Sequence, residues 1–424
     1  METNIVIVTG NHLCNNPRVI KEGTTLANAG YTVTVIGAWF DGGLKTRDLE
    51  MQKSLPFSFK PAIDTTENML RQLRLRASVK VGAIAHRIAR FESRSQLGYA
   101  YRNLRAESRQ PANLYIAHSE TAMAAAMDLL HDGCLVGIDV EDWFSEDLPQ
   151  EARTHRPVRL LRNLERKLLT LGGYSSCPSR AMSEALAREF GCPQPTIIYN
   201  AFPWSDRECM DGLFKDRRER RLPSIHWFSQ TLGHGRGLED LIAALPLLKR
   251  AAEIHLRGKP ASGFENWLAD LVPEAWHGRI KIHGLVPNAE LLSRIAEHDI
   301  GFAGETPLIR SRDLTVTNKI LYYLLAGLAV VASETAGQRE VAEQAPDGVF
   351  LYPFGDPPAL AARLDALLGS GDALGHAKSA ALAAAERTFC WERQEQGLLE
   401  SIHRALSPPT KAINPTGGPS CVGS

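Results

Sequence analysis

Hydrophobic residues in this chain follow two alternating rhythms. Short unbroken apolar runs, of the kind that form strands buried on both faces, are separated by longer stretches with apolar positions three and four apart, the helical spacing. Residues 4–9 (Asn-Ile-Val-Ile-Val-Thr) predict a strand, 10–17 a loop, 18–29 a helix stopped by Gly30, and 31–36 a second strand. Such a βαβ opening implies a parallel sheet with a right-handed crossover. Further strands are expected over 114–117, 135–140 and 196–199, with helices over 119–131, 157–171 and 179–190.

The charge run 215–221 (Lys-Asp-Arg-Arg-Glu-Arg-Arg) interrupts this alternation and reads as a solvated linker. The pattern then restarts, with strands expected over 224–229, 253–256, 279–283, 299–303, 328–332 and 348–352. Helices are expected over 238–249, 289–297, 318–327, 357–368 and 391–406. The tail from 407, rich in Pro, Gly and Ser, is expected to be disordered. The result is an α/β chain of two doubly wound, Rossmann-like domains in tandem, 1–210 and 224–390, with a linker at 211–223 and a cleft between them. Ligands of such sheets lie beyond the carboxyl ends of the strands.

Composition excludes more than it adds. Lys+Arg and Asp+Glu both total 48, so no global charge points to nucleic acid. The seven cysteines include no Cys-x-x-Cys pair, which favours reduced thiols over a disulfide or zinc framework. The chain enters its first strand without a basic-then-apolar leader, and no apolar run approaches the ~20 residues that span a bilayer. A cytoplasmic protein is expected. Residues 71–110 carry ten Lys/Arg against two Glu, interleaved with apolar residues. This pattern suits peripheral contact with the inner face of an anionic membrane, or equally a solvated basic insertion.

The most informative stretch is 315–340. Thr317 stands where a residue caps a helix, Asn318 and Lys319 open that helix, and Gly327 closes it in the left-handed position. A helix start beside a lysine is a ready anion site, because free amides and the helix dipole point the same way. The loop Gly233-His234-Gly235-Arg236-Gly237 recurs in the same strand–loop–helix setting, where its backbone can approach a phosphate and Arg236 can pair with it. It is neither a dinucleotide fingerprint nor a P-loop. His118 ends a strand and can act as a base or hydrogen-bond to a sugar. Asp139, Glu141 and Asp142 end the next strand and can serve as bases or cap a helix; with no histidine at ligand spacing, a metal is not expected. Glu305 can hold sugar hydroxyls, or pair with Arg310 or Arg312.

Taken together, these residues resemble the family-4 (group 1) glycosyltransferases of GT-B fold over about residues 1–405. Asn16-Pro17-Arg18-Val19 with Lys21-Glu22, the Ala29–Val33 stretch, Tyr115–His118 and Ile197–Asn200 are similar to the acceptor-side domain. Gly284–Pro287 and Asn318-Lys319-Ile320 through Val331 are similar to the nucleotide-sugar domain, and Trp391 fits a last helix returning to the first domain. The resemblance implies an NDP-sugar donor, a glycan or lipid-linked acceptor, anomeric retention, and no cofactor or obligatory metal. It supports His118, Arg236 and Lys319 as catalytic. Gly233, Gly235, Gly237, Glu305, Thr317, Asn318, Gly337 and Glu340 are expected on the donor side, and Gly10, Asn16, Arg18 and Glu141 on the acceptor side.

Three positions depart from the family pattern. Leu314 and Tyr322 stand where the family often has a Glu-x7-Glu pair, and Thr231 stands in place of an arginine. A nucleotide-sugar epimerase or hydrolase, and a non-catalytic scaffold of the same fold, are the competing expectations.

Overall fold

The computed structural model describes residues 3–67, 73–74, 77, 80–82, 88, 91–98, 100–154, 156–219, 222–235 and 237–407. Two parallel sheets organise it. The first is built from β1 (Asn4–Thr9), β2 (Thr32–Trp39), β3 (Ser58–Asp64), β4 (Leu114–His118), β5 (Val136–Asp139), β6 (Tyr174–Cys177) and β7 (Thr196–Ile197). Its spatial order is β3-β2-β1-β4-β5-β6-β7. The second contains β8 (Ser224–Leu232), β9 (Glu253–Pro260), β10 (Ile280–His283), β11 (Ile300–Ala303), β12 (Ala329–Ser333) and β13 (Val349–Tyr352), in the order β10-β9-β8-β11-β12-β13.

Both faces of each sheet are covered, as the continuous apolar runs require. In β1, Ile5 and Ile7 join one core while Val6 and Val8 join the core on the other face. In β12, Ala329 and Val331 face one side, and Val330 and Ala332 the other. Each sheet reverses its winding once, between β1 and β4 and between β8 and β11, and each reversal opens a crevice at the strand carboxyl ends.

Several expectations need correcting. β3 carries Pro61, which an edge strand tolerates because one side of it needs no ladder bond. β6 (Tyr-Ser-Ser-Cys) is too polar to read as an apolar run, although Cys177 is fully buried. The helices Ala336–Gln344 and Gly371–Arg387 show weak apolar periodicity and were not expected. The charge run is not simply solvated, because Arg217 is buried. Its backbone N–H and that of Asp216 donate to Glu297 (3.1 and 2.7 Å), and its guanidinium reaches Asp299 at 2.8 Å.

The helix Trp391–Leu406 lies against the first sheet's layers. Leu398 and Ile402 enter that core, and the Trp391 indole donates to Thr25 Oγ1 at 2.9 Å. The expected disordered tail falls almost wholly outside the described residues, as does most of the basic segment before residue 91. Three later arginines of that segment are paired: Arg94 and Arg105 with Asp128, at 2.5 and 2.9 Å, and Arg109 with Asp132 at 2.8 Å.

Candidate active site

The helix Asn318–Ala326 starts as expected and ends at Gly327, whose φ of 74° is left-handed. Its first turn differs from expectation. Thr317 occupies the cap position, but its side chain accepts nothing from the helix, and its hydroxyl is buried without a hydrogen-bond partner. The helix start is therefore uncapped by side chain and suited to an external anion. Asn318 is exposed beside it, and its Oδ1 accepts from Asn200 Nδ2 at 3.0 Å. Lys319 is buried, lies 5.3 Å from the Trp227 ring centroid and is ion-paired with Glu305. Glu305 thus pairs with Lys319, not with Arg310 or Arg312, and is buried rather than open to hydroxyls.

The glycine loop follows β8 at the same end of the sheet. Arg236 lies outside the described residues. The Gly235 N–H already donates to Glu239 Oε1 at 2.7 Å. Gly237 has φ 77°, and a Cβ there would lie 2.7 Å from the Gly304 Cα, so this glycine permits two strand-end loops to touch. Gly233 has room around it. Gly337 and Glu340 do not open onto a ligand. A Cβ on Gly337 would meet the Thr315 carbonyl oxygen at 2.3 Å. The buried Glu340 carboxylate accepts from the backbone N–H groups of Arg180 and Ala181, at 3.1 and 2.9 Å, and so clasps a helix of the first half.

At the opposite crevice the first sheet gathers a cluster of charges. On the helix Pro17–Asn28, Arg18 and Glu22 are four residues apart and share a face. On the sheet, His118 and Asp139 are register partners. Arg18 Nε donates to Asp139 Oδ2 at 2.8 Å, and Glu22 Oε2 lies 2.6 Å from His118 Nε2. His118 Nδ1 contacts Glu141 Oε1 at 2.8 Å. Burial alone would push the imidazole toward neutrality, but Glu22, Glu141 and Asp139 outweigh it and hold its pKa up at about 10. The carboxylates around it thus favour the protonated form of His118, which speaks against the base among the two roles expected of it. Arg18 is likewise an interior residue, with its guanidinium also donating to Ile198 O at 2.8 Å.

Asn16 ties the loop after β1, donating to Thr9 Oγ1 and His12 O, both at 3.1 Å. The Gly10 N–H donates to Ser119 Oγ at 3.1 Å. Ser119, absent from the expected set, has φ 94° and ψ 159°, a conformation that costs a non-glycine residue about 1–3 kcal/mol. Glu22, His118 and Asp139 offer ligand atoms within 4.8 Å of one another, contrary to the expectation that no histidine stands near these acids. Within that set Asp139 is ion-paired with Arg18.

The two halves meet along a seam that includes two of the three departures from the family pattern, Leu314 and Tyr322. Leu314 packs against the first sheet's core, and the Ser179 hydroxyl donates to its carbonyl at 2.6 Å. Tyr322 stacks on Phe202 with centroids 3.6 Å apart. The Trp143 N–H donates to Ser311 Oγ at 3.0 Å, and the Arg310 guanidinium sits 4.2 Å above the Trp143 ring and pairs with Glu189 at 3.2 Å. Lys21 also lies near the seam, donating to Asn200 Oδ1 at 2.9 Å; burial, then Arg18, push its pKa down to about 7. No single residue signals these contacts in sequence, because each needs both halves.

Residues 224–370 match the family described as Glycosyl transferases group 1. No curated protein matches the chain. Among solved structures, HepE of Anabaena in complex with UDP and glucose is 17% identical, with a TM-score of 0.66 over 95% of this chain and 100% of that one. A UDP-forming α,α-trehalose-phosphate synthase from Burkholderia xenovorans is 14% identical, with a TM-score of 0.67 over 96% and 100%. Sucrose-phosphate synthase from Thermosynechococcus elongatus is 14% identical, with a TM-score of 0.65 over 96% and 99%. These likenesses establish the fold as GT-B.

Proposed function

Since residues 224–370 match the family described as Glycosyl transferases group 1, on a chain of GT-B fold, we propose that this protein moves a sugar from a nucleoside-diphosphate donor to a glycan or lipid-linked acceptor. We further propose that it does so with retention, in cell-surface polysaccharide or glycoconjugate synthesis. The observation that carries the donor assignment is the uncapped start of the helix Asn318–Ala326 at the crevice of the second sheet. Its first-turn amides, with Lys319 and Arg236, would neutralise the diphosphate as it leaves, and stabilisation of a leaving group's charge is commonly the largest catalytic term. Lys319 reaches that position with Glu305 as its resident counter-ion, so an arriving diphosphate must share or displace it. That the Anabaena neighbour is seen in complex with UDP and glucose supports a nucleotide-sugar donor. No metal is assigned a role.

A lipid-linked acceptor fits the exposed Leu73, Val81, Ile88 and Phe91 beside the basic residues of the same segment, which suit the surface of an anionic bilayer. No described helix is long and apolar enough to cross a membrane.

A donor screen by native mass spectrometry tests the reading. The protein should retain an NDP-sugar, and Lys319→Ala or Arg236→Ala should weaken retention at least ~10-fold, the loss of one charge-assisted contact. Failure to retain any NDP-sugar overturns it. Free altered sugar and nucleotide formed without acceptor would mark epimerase or hydrolase chemistry instead.

A further inference from the structure

The charge cluster at the first sheet is more ordered than a set of ion pairs needs to be. Two acid–base pairs lie side by side, Arg18 with Asp139 and Glu22 with His118, because one helix turn and one strand register place them so. The second pair has an outward continuation in Glu141, whose side chain is 30% exposed where His118 and Glu22 are 1% and 2% exposed. Each nitrogen of the His118 ring faces a carboxylate, so the ring has no free edge to offer a substrate.

We infer that Glu22 is a positioning residue that acts through His118 to fix the Glu141 carboxylate at the cleft edge, where it accepts hydrogen bonds from sugar hydroxyls. This rests on the glycosyl-transfer reading. It deepens that reading by replacing the expected role of His118 with one for Glu141. In the second half Leu314 and Tyr322 stand at the positions where the family often presents carboxylates, and here both are spent on apolar packing.

The two contacts of His118 differ in kind. Glu141 is hydrogen-bonded to Nδ1 at 2.8 Å, whereas Glu22, 2.6 Å from Nε2, acts chiefly by its charge. Glu22 therefore secures the second proton of the ring, and the charged ring in turn orients Glu141, as an outer carboxylate orients a histidine in other buried triads. The charged groups facing His118 come from two elements: Arg18 and Glu22 from the helix, and Asp139 and Glu141 from β5 and its end. The Tyr174 hydroxyl of β6, bonded to Ser176 at 2.9 Å, lies beside the same carboxylates.

The test is the pH titration of the His118 ring by nitrogen-15 NMR in the full chain, with the signal assigned through His118→Gln. The wild-type ring should stay imidazolium across about pH 5 to 8, where an ordinary histidine titrates. In Glu22→Gln and in Glu141→Gln the midpoint should fall into that window. Either variant should lower kcat about 10- to 100-fold, with Glu141→Asp recovering part of the loss. A wild-type ring that titrates near its ordinary value, or a Glu141→Gln enzyme with full turnover, overturns the inference. If Glu22→Gln does not fold, the wild-type titration and Glu141→Gln still decide. If the wild type transfers no sugar from any donor, the functional reading fails while the titration still reports on the relay.

Discussion

Histidine is buried in both halves of this molecule, in opposite charge states. In the first half, His118 lies between Glu22 and Glu141 and is held protonated. In the second, His226, His255 and His298 are buried together with half-buried His283 against the sheet. His226 stacks on His298 at 4.4 Å, and His255 Nδ1 meets His283 Nε2 at 2.9 Å. Burial, followed by one another and the neighbouring cations, pushes all four down, His255 to about 3. The difference lies in the company each ring keeps. A carboxylate on each side keeps a buried imidazolium, whereas rings that meet each other and the arginines beside them stay neutral.

The comparison can be broken most forcefully at Arg18. Arg18→Met leaves Asp139 buried without its partner, and removing one member of a buried pair costs about 3–5 kcal/mol. Urea denaturation should show this loss, while His226 and its neighbours stay neutral by NMR. A loss below about 1 kcal/mol would mean that water or another cation reaches Asp139.

Acid should strain the second half and spare His118. Because the folded-state pKa values of the four histidines lie below their ordinary 6.5, the unfolded chain binds more protons as pH falls. Their stabilising contribution is present above about 6.5 and is lost on descending toward the folded values, by about 1.4 kcal/mol per pH unit for each ring that stays neutral. Arg217, Arg257 and Lys281 add to the repulsion, while Asp216 and Glu253 oppose it. The His118 contribution has the other sign: it is present below about 6.5 and lost as pH rises through about 10. Thermal melts from pH 7 to 5 should therefore show a falling midpoint that His226→Phe flattens and His118→Gln does not.

The smallest effect is expected at the seam between the two environments. Arg310→Ala removes the cation over Trp143 and the pair with Glu189, worth about 0.5–1 kcal/mol at such an exposed site. Stability should barely change. Small-angle scattering should show a wider spread of separations between the halves, and an unchanged profile would mean that the remaining contacts, those of Ser311, Leu314 and Glu340 among them, hold the seam without Arg310.

Much of the architecture was legible because its signals are local. The apolar runs at 4–9 and 224–229, the helix end at Gly327 and the last helix at 391–406 each depend on residues adjacent in sequence, and the structure places β1, β8 and both helices there. β6 escaped because a buried strand can be polar when its hydroxyls are hydrogen-bonded, as the Tyr174 hydroxyl is to Ser176 within the strand. The site was legible only in part. Gly237 and Asn318-Lys319 stand at helix starts, as the pattern predicts. The fate of Gly337 and Glu340 could not be read, since each is consumed by a contact with chain remote in sequence, Thr315 and Arg180 respectively.

By itself the sequence determined the alternation of strands and helices, the two crevices and the residue types beside them, because periodicity and helix punctuation are properties of neighbouring residues. Tertiary structure alone decided what those residues are: that Lys319 carries Glu305, that Leu314 and Tyr322 serve packing, and that His118 is a cation. The charge state of a buried group depends on the groups within a few ångströms of it. Here those groups come from positions 22, 139 and 141, which only folding brings to position 118.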